Sequence, residues 1–363
     1  LMRFRFGIAI SGTHGKTTTT SLIVHIMSEA KLDPTYIIGG IINATGMNAK
    51  LGKSDYLIAE ADESDASFLH LQPMLSVITN IDEDHMSTYN HNYDNLIDAF
   101  VSFTSNLPFY GVCVACIDDN GVKDILKKIH RPVLSYGFSD DADVKATNVK
   151  QSEMKMSFDV TCKKYQKKFP VSLNLMGRHN ILNSLAAISV AIELDIELKV
   201  IQKALSHFSG VSRRLDYHQN LIVNTHLVPL FDDYGHHPNE ITEVVSTLRN
   251  TYPDKRLMVI FQPHRYSRTR DLFNDFVSCL SKVDTLVLLN IYPANESPIN
   301  TISSSTLADS IRRRSTIDPI VVKDIAEIIE IIPNIVTKND VILTLGAGDV
   351  NKIPHQLKDH FQE

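Results

Sequence analysis

The sequence of 363 residues lacks the features that would assign it to several broad classes of protein. It has no apolar run long enough to cross a bilayer, so membrane insertion is not expected. Its 36 Lys and Arg residues are outnumbered by 42 Asp and Glu residues and form no basic block, which argues against a nucleic-acid partner. Four scattered cysteines are too few for a disulfide framework and favour a reducing cytoplasm.

Short apolar runs alternate with helical patterns along the first part of the chain. This alternation is typical of βα units, which build a largely parallel sheet. Strands are predicted at residues 7–10, 56–61, 75–80, 112–117 and 133–136, and helices at residues 16–30, 92–105, 122–129 and 180–194. Between residues 155 and 175, apolar and polar residues alternate with a period of two, which indicates a small antiparallel excursion.

The pattern resets at residues 209–212, which we interpret as a linker, and βα alternation then resumes. Strands are predicted at residues 228–231, 257–261, 285–289 and 341–345, and helices at residues 240–249 and 270–281. The sequence therefore predicts two α/β domains, residues 1–212 and residues 213–363. The first would carry a phosphate loop on a mostly parallel sheet, and the second would be Rossmann-like.

The strongest local signal is the segment Gly12-Thr13-His14-Gly15-Lys16-Thr17, which lies between a predicted strand and a predicted helix. Glycines let the backbone fold tightly, so that successive N–H groups point at phosphate oxygens. Lys16 can contact the outer phosphates, and the hydroxyl group of Thr17 can bind Mg²⁺. The common form of the motif has glycine three residues before Thr13, where this chain has Ile10. We interpret the segment as an ATP phosphate loop; the alternative is a glycine-rich turn before a capped helix.

Acidic and histidine residues follow two neighbouring predicted strands. Glu60 begins an acidic segment that extends to residue 65, and residues 82–84 lead to His85 after the next strand. In a parallel sheet, the carboxyl ends of these strands open onto the edge that carries the phosphate loop. Carboxylates there can bind Mg²⁺, and an imidazole can serve a second cation. Ordinary solvated turns are the alternative interpretation.

Three further patterns are discounted. Cys113 and Cys116 have CxxC spacing, but they lie in an apolar strand run and no second pair follows. The segment Gly346-Ala347-Gly348 follows a predicted strand but lacks the Lys-Ser/Thr ending of a phosphate loop, so tight packing is the better explanation. Residues 312–314 are three arginines, which are interpreted as a solvated helix face.

Together these motifs resemble the Mur ligase family, the enzymes that build the cytoplasmic precursor of bacterial peptidoglycan. The resemblance runs over essentially the whole chain. The segments that carry it are residues 12–20, 60–69, 80–85, 177–180 with Asn183, 212–216, 232–238 and 262–270. These separate motifs occur in the same order along the chain as in the family, which a chance resemblance would not produce.

The resemblance implies roles for individual residues. ATP binding is implied for Gly12, Thr13, His14, Gly15, Lys16, Thr17, Thr18, His179, Asn180, Asn183, Arg214 and Asp216. Two Mg²⁺ ions are implied, the first bound by Thr17 and Glu60 and the second by His85. Binding of the amino acid is implied for Tyr234, His236, His264 and Arg265, and catalysis for Lys16, His85, His236, Arg265 and Arg268.

Within the family, the motifs best fit the member that joins L-alanine to the lactyl carboxylate of UDP-N-acetylmuramate. Several sister ligases depend on a modified lysine, and this chain has no lysine between Tyr93 and Leu107. The triplet at residues 63–65 also fits that member better than the ligase that reattaches recovered peptides. The implied reaction forms an acyl phosphate from ATP and then an amide, with ADP and phosphate as products.

Other functions stay open at this stage. They are the peptide-reattaching ligase, a small-molecule kinase that uses the same phosphate loop, and ATP binding without turnover. The general base also stays open between His236, Asp233 and simple loss of the proton to solvent. The oligomeric state is undetermined.

The resemblance also implies a three-domain enzyme, of which this chain shows the last two domains. The domain expected to bind the UDP moiety would precede Leu1. On that interpretation, we expect the polypeptide to bind Mg-ATP but to ligate poorly.

Overall fold

The computed structural model describes residues 2–163 and 166–361. The chain divides into two compact units, Leu1–Ser212 and Arg213–Glu363, which are described separately below. Among the described residues, no helix combines the length and the apolar character that a bilayer crossing requires.

The first unit is built on a ten-stranded sheet. Its strands are β1 (Phe6–Ser11), β2 (Thr35–Ile42), β3 (Met47–Lys50), β4 (Tyr56–Glu60), β5 (Leu75–Ile78), β6 (Val112–Cys116), β7 (Val133–Gly137), β8 (Val144–Ser152), β9 (Lys155–Cys162) and β10 (Lys167–Leu173). The spatial order is β10-β9-β8-β7-β6-β5-β1-β4-β2-β3. Pairing is parallel from β8 through to β2, whereas β3, β9 and β10 add antiparallel edges.

Helices cover both faces of this sheet. They are α1 (Lys16–Glu29), α2 (Tyr93–Ser105), α3 (Asn120–Leu126), α4 (Arg178–Glu193) and α5 (Leu198–His207). Successive residues of a strand point to opposite faces, so Ile8 and Ile10 of β1 join the core with α1, α4 and α5, while Ala9 joins the core with α2 and α3. A central strand buried on both faces explains the continuous apolar run that predicts it.

The antiparallel excursion is confirmed, with β9 and β10 paired on either side of residues 164 and 165, which lie outside the described residues. Three strands were not predicted: β2, β3 and β8. In the sequence, the adjacent glycines Gly39 and Gly40 suggest a turn. In the structure, both lie within the continuous strand β2. The run after α4 is also helical, since α5 covers residues that the sequence left unassigned.

The second unit is a six-stranded sheet flanked by helices. Its strands are β11 (Asp216–Val223), β12 (His226–Asp233), β13 (Arg256–Phe261), β14 (Thr285–Leu289), β15 (Ile320–Val322) and β16 (Asp340–Leu345), in the spatial order β11-β12-β16-β13-β14-β15. Its helices are α6 (Pro238–Thr251), α7 (Tyr266–Asp271), α8 (Phe273–Leu280), α9 (Ser304–Arg314), α10 (Ile325–Ile335) and α11 (Ile353–His360). Among the described strands of this sheet, only β11 pairs in antiparallel fashion.

The fold class is therefore confirmed in both units. Two details differ from the sequence prediction in the second unit. The single helix predicted at residues 270–281 is two helices, because Leu272 leaves the helical conformation at φ −108° and ψ 23°. The strands β11 and β15 and the helices α9, α10 and α11 were not predicted. The three arginines at residues 312–314 do form an exposed helix end, as expected.

Candidate active site

The phosphate-loop segment leads from β1 into α1, as the motif predicts. Gly12 and Gly15 have positive φ angles of 131° and 81°, which glycine adopts without the Cβ penalty of other residues. A Cβ atom on Gly15 would also lie 2.5 Å from Oδ1 of Asn183. Ile10, at the position where the common motif has glycine, is a buried β1 residue paired with both Glu60 and Val77. The strand continues past this position, so an aliphatic side chain is accommodated there.

The phosphate loop is fastened to the end of β5. The backbone N–H of His14 donates to Oδ1 of Asn80 at 2.8 Å, and the amide of Asn80 donates back to the carbonyl of His14 at 3.0 Å. The N–H of Asp82 donates to the hydroxyl oxygen of Thr13 at 2.9 Å. Asn80 was part of the family motif but was not predicted as a site residue. Its reciprocal pairing fixes the loop backbone that would face phosphate.

Lys16 lies at the first position of α1 and reaches back over the loop. Its ammonium group donates to the carbonyls of Gly12 at 2.7 Å and Thr13 at 3.2 Å, and to the carboxylate of Glu63 at 2.7 Å. Glu63 is buried. Glu63 was not predicted as a site residue, because nothing in the acidic run at residues 60–65 indicates which carboxylate turns inward.

Thr17 and Glu60, the predicted ligands of the first Mg²⁺, lie together. The hydroxyl group of Thr17 donates to Oε2 of Glu60 at 3.3 Å. Gly39 and Gly40 of β2 leave room for this pair, since Cβ atoms there would lie 2.8 Å from Oε2 of Glu60 and 2.7 Å from Cγ2 of Thr17. A hydroxyl oxygen at the start of α1 and a carboxylate oxygen at the end of β4 match the hard-oxygen preference of Mg²⁺. The residues present therefore fit the ion.

His85 follows β5 and has a left-handed backbone at φ 55°. Its Nδ1 atom lies 3.6 Å from Oε1 of Glu63, and its Nε2 atom lies 3.8 Å from Oδ2 of Asp84. Non-glycine residues rarely adopt this backbone, and such outliers cluster at functional sites. Glu63 thus lies between Lys16 and the predicted ligand of a second cation.

The predicted nucleotide contacts on α4 are linked to the phosphate loop through Asn183, which contacts Thr19 of α1 and lies against Gly15. Asn183 accepts a hydrogen bond from the hydroxyl of Thr19 at 3.3 Å and donates to Asn180 at 3.1 Å. Asn180 in turn donates to the carbonyl of Met176 at 2.7 Å. Burial lowers the pKa of His179 to about 4, so its ring is neutral at pH 7. Thr18 is buried within α1.

A cavity of about 410 Å³ opens beside the phosphate loop, at the carboxyl ends of β5 and β6. Its lining includes His14, Asn80, Asp82, Tyr93 and Asp119. Ligands of open α/β sheets bind at this edge, outside the carboxyl ends of the strands. The cavity therefore continues the candidate site from the loop across the neighbouring strand.

In the second unit, residues 213–216 are bonded to the ends of β12 and β16. Arg213 donates through Nε to Asp232 at 3.1 Å and through its terminal nitrogen to the carbonyl of Gly346. The backbone N–H of Arg213 donates to Asp216 at 3.4 Å. Gly346 is packed tightly, as its sequence context suggested, since a Cβ atom there would lie 2.7 Å from the carbonyl oxygen of Gln262. Arg213 was not predicted, because only its neighbour Arg214 matched a family role.

The predicted residues Tyr234 and His236 follow β12, and Arg214, which precedes β11, lies beside them. The guanidinium carbon of Arg214 lies 5.1 Å from the ring centroid of Tyr234, and the rings of Tyr234 and His236 meet edge to face at 5.3 Å. Glu240 accepts the backbone N–H of His236 at 3.0 Å, which fixes the turn before α6. Burial lowers the pKa of His236 to about 4.

Asp233, the other candidate general base, is held by its own backbone neighbours. Its carboxylate accepts the N–H of Leu215 at 2.6 Å and the N–H of Gly235 at 2.7 Å. Burial raises the pKa of Asp233 to about 7, although Arg214 and these backbone bonds oppose the shift. With both oxygens engaged, Asp233 mainly positions the turn that carries Tyr234 and His236.

His264, Arg265 and Arg268 form the last cluster, at the end of β13 and the start of α7. The ring of His264 stacks on Tyr292 with centroids 5.3 Å apart, and its centroid lies 5.8 Å from that of His236. A guanidinium nitrogen of Arg268 lies 3.4 Å from Nδ1 of His264. Burial first, and then Arg268 and Arg265, lower the pKa of His264 to about 4. Arg265 precedes α7 with φ 71°, a further non-glycine outlier at this site.

Comparison with known proteins places these two units in one family. Residues 10–191 match the model of the Mur ligase middle domain, and residues 213–348 match that of the Mur ligase glutamate ligase domain. The chain is 64% identical over 361 residues to proteins named UDP-N-acetylmuramate–L-alanine ligase from Vesicomyosocius okutanii and from Ruthia magnifica. Each match covers 99% of this chain and 77% of the relative.

A solved structure gives the same result. The crystal structure of UDP-N-acetylmuramate–alanine ligase MurC from Thermotoga maritima aligns with a TM-score of 0.82 at 25% identity, covering 99% of this chain and 76% of that one. The resemblance that the motifs indicated is confirmed: the chain belongs to the Mur ligase family.

Proposed function

We propose that this chain joins L-alanine to the lactyl carboxylate of UDP-N-acetylmuramate at the expense of ATP, a step in peptidoglycan precursor synthesis in the bacterial cytoplasm. Relatives that are 64% identical carry the name of that ligase, which supports this choice of substrates. The observation that carries ATP use is the start of α1, where Lys16 reaches back over the phosphate loop and the hydroxyl group of Thr17 donates to Glu60. The first unit would be the ATP-binding domain and the second the amino-acid domain.

The first step would transfer the γ-phosphoryl group. A lactyl carboxylate oxygen attacks the γ-phosphorus, and the bond between this phosphorus and the oxygen that bridges it to the β-phosphate breaks. ADP departs, and an acyl phosphate is formed. Two anions must approach each other, so positive charge has to be concentrated where they meet. Lys16 supplies such a charge above the loop, and the N–H groups at the start of α1 add the positive end of a helix dipole.

Thr17 and Glu60 would hold one Mg²⁺ and His85 a second. Bound Mg²⁺ neutralises the phosphate oxygens and orients the nucleotide for in-line transfer. Glu60 is shielded by β2 and Thr17 is buried, so both ligand oxygens would be held in one geometry.

The second step would form the amide. The amino group of L-alanine attacks the acyl carbon, the bond to the phosphate oxygen breaks, and the nitrogen loses a proton. Burial lowers the pKa of His236 to about 4, so its ring is neutral at pH 7 but only weakly basic; it would relay that proton towards solvent rather than hold it. Asp233 is a poorer candidate, because its oxygens already accept two backbone N–H groups.

The cluster of Tyr234, His236, His264, Arg265 and Arg268 would bind the amino acid and the transferred phosphoryl group. A guanidinium group binds a carboxylate or a phosphate in bidentate fashion. Neutral imidazoles beside it add hydrogen-bonding capacity without a competing charge. Nucleotide contacts are proposed for His179, Asn180 and Asn183 on α4 of the first unit. For Arg214 and Asp216 of the second unit, the same role rests on the family resemblance alone.

Product analysis tests the proposal. The purified chain is incubated with Mg-ATP, UDP-N-acetylmuramate and either L-alanine or the tripeptide, and ADP, phosphate and amide are quantified by mass spectrometry. ADP, phosphate and an alanyl amide are expected in equal amounts, formed slowly because poor ligation is expected of this chain. A stable phosphorylated product would indicate a kinase, and preference for the tripeptide would indicate the peptide-reattaching ligase; either result would overturn the proposal. Nucleotide binding is measured in parallel by calorimetry, so that ATP binding is tested separately from ligation.

A further inference from the structure

Lys16 uses every hydrogen-bond donor that its ammonium group has. A lysine carries three N–H donors and no acceptor. The structure gives them three acceptors: the carbonyls of Gly12 and Thr13 and the carboxylate of Glu63. A phosphate oxygen can therefore be bound by Lys16 only if one of these three bonds is given up. Of the three acceptors, only Glu63 carries a negative charge, so an anionic phosphate oxygen can take its place without changing the charge beside Lys16.

Glu63 cannot easily lose its cation. Its side chain is 1% exposed, so water does not solvate the carboxylate. A buried carboxylate that loses its partner is strongly destabilised. Its neighbour Asp62 lies 3.8 Å from the same ammonium group but is 57% exposed. Asp62 would be solvated whether or not Lys16 stays nearby.

The second oxygen of Glu63 faces the predicted cation site. Among the described residues, Oε1 of Glu63 accepts no hydrogen bond although it is buried, and Nδ1 of His85 is likewise buried without one. These two atoms lie 3.6 Å apart. A carboxylate next to a histidine is the arrangement that orients metal-ligating imidazoles in proteins. The same carboxylate therefore faces the phosphate-binding lysine on one side and a candidate cation ligand on the other.

We propose that Glu63 is an internal counterion that couples nucleotide binding to divalent-cation binding. This inference rests on the proposed use of ATP. When nucleotide binds, Lys16 exchanges Glu63 for a phosphate oxygen, and the carboxylate left behind is neutralised by a cation held near His85. Each ligand thereby favours the other, since a coupling free energy acts equally in both directions. Glu63 is a positioning residue in this scheme, since it acts through Lys16 and His85.

The test compares ADP affinity with and without divalent cation by calorimetry, using Glu63→Gln. Glutamine keeps the size and one acceptor oxygen but removes the charge, so Lys16 no longer has an anion to exchange. Metal-free ADP, measured in EDTA, should bind at least about fivefold tighter to Glu63→Gln than to the native chain. The gain in ADP affinity on adding Mg²⁺ should shrink by a similar factor.

Asp62→Asn is the matched control, because it removes a charge at nearly the same distance from Lys16. It should leave metal-free ADP affinity within about twofold of native, since Asp62 is exposed. If both variants tighten ADP equally, general repulsion of phosphate explains the effect and the inference is wrong. Unchanged or weaker metal-free binding by Glu63→Gln would also overturn it.

A second variant covers a failure of Glu63→Gln to fold, which thermal melting would reveal. Glu63→Asp keeps the charge but withdraws it by one methylene from the 2.7 Å contact with Lys16, and it should shift metal-free affinity in the same direction. No shift there would contradict the inference. The ligation assay stays separate: a native chain that binds ADP but forms no alanyl amide would refute the proposed function and leave this coupling intact.

Discussion

The side-chain amide of Asn183 lies directly against Gly15, so that a Cβ atom at residue 15 would be 2.5 Å from Oδ1 of Asn183. This contact joins α4 to the phosphate loop. Oδ1 of Asn183 also accepts the hydroxyl of Thr19 one turn into α1. The close approach requires glycine at residue 15 for steric reasons, in addition to its φ of 81°.

Gly15→Ala should therefore weaken nucleotide binding. The added methyl group must push the loop away from Asn183, which misaligns the N–H groups that would face phosphate, so we expect at least about a tenfold loss of ADP affinity. Gly46→Ala is the matched control: Gly46 also has a positive φ, of 65°, but nothing lies within 4 Å of its Cβ position. The control should lose about 1 kcal/mol of stability with unchanged ADP affinity. Equal affinity loss in both variants would contradict the steric argument.

The hydroxyl group of Thr17 provides a second test. Thr17→Val keeps the shape of the side chain but removes the oxygen that donates to Glu60 at 3.3 Å. We expect Thr17→Val to lower the Mg²⁺-dependent part of ADP affinity about tenfold or more, because one ligand oxygen is lost. Thr17→Ser keeps the hydroxyl and should stay close to native. Calorimetry with and without Mg²⁺ measures both variants, and an equal loss in the serine variant would argue against metal binding by the hydroxyl.

Much of this site follows from the sequence, because parallel strands bring their carboxyl ends to one edge. The positions of Lys16, Thr17 and Glu60 could be predicted on that basis. The inward turn of Glu63 could not, since Asp62, Glu63 and Asp65 are chemically alike and only the backbone after β4 buries one of them. The strand β2 was missed for a related reason: its glycines make room for Thr17 and Glu60, a tertiary requirement that local propensity does not contain.

The buried carboxyl group of Asp233 predicts a pH dependence of stability. Burial raises its pKa to about 7 from the ordinary 3.8, so between these values the folded state holds a proton that the unfolded state has lost. The contribution of this protonated carboxyl group to the free energy of unfolding is therefore fully present below pH 3.8 and is lost as the pH rises through 7. Urea unfolding should be measured between pH 5 and 8. The free energy of unfolding should fall less steeply with rising pH in Asp233→Asn than in the native chain. Asp254→Asn, at an exposed carboxylate, should leave the slope unchanged; a slope equal to native in Asp233→Asn would contradict the assignment.

Arg268 should control both amino-acid binding and the protonation of His264. Its guanidinium nitrogen lies 3.4 Å from Nδ1 of His264, and after burial it is the largest cause of the lowered histidine pKa. Arg268→Met should therefore raise the pKa of His264 from about 4 towards its ordinary value, as measured by NMR titration of the ring. It should also raise the KM for L-alanine about tenfold or more, because a bidentate partner for a carboxylate is lost. Arg270→Met is the control on the same helix, since Arg270 is exposed and pairs with Asp271 at 2.7 Å. If Arg270→Met raises KM as much as Arg268→Met does, the effect comes from the helix as a whole and Arg268 has no specific role.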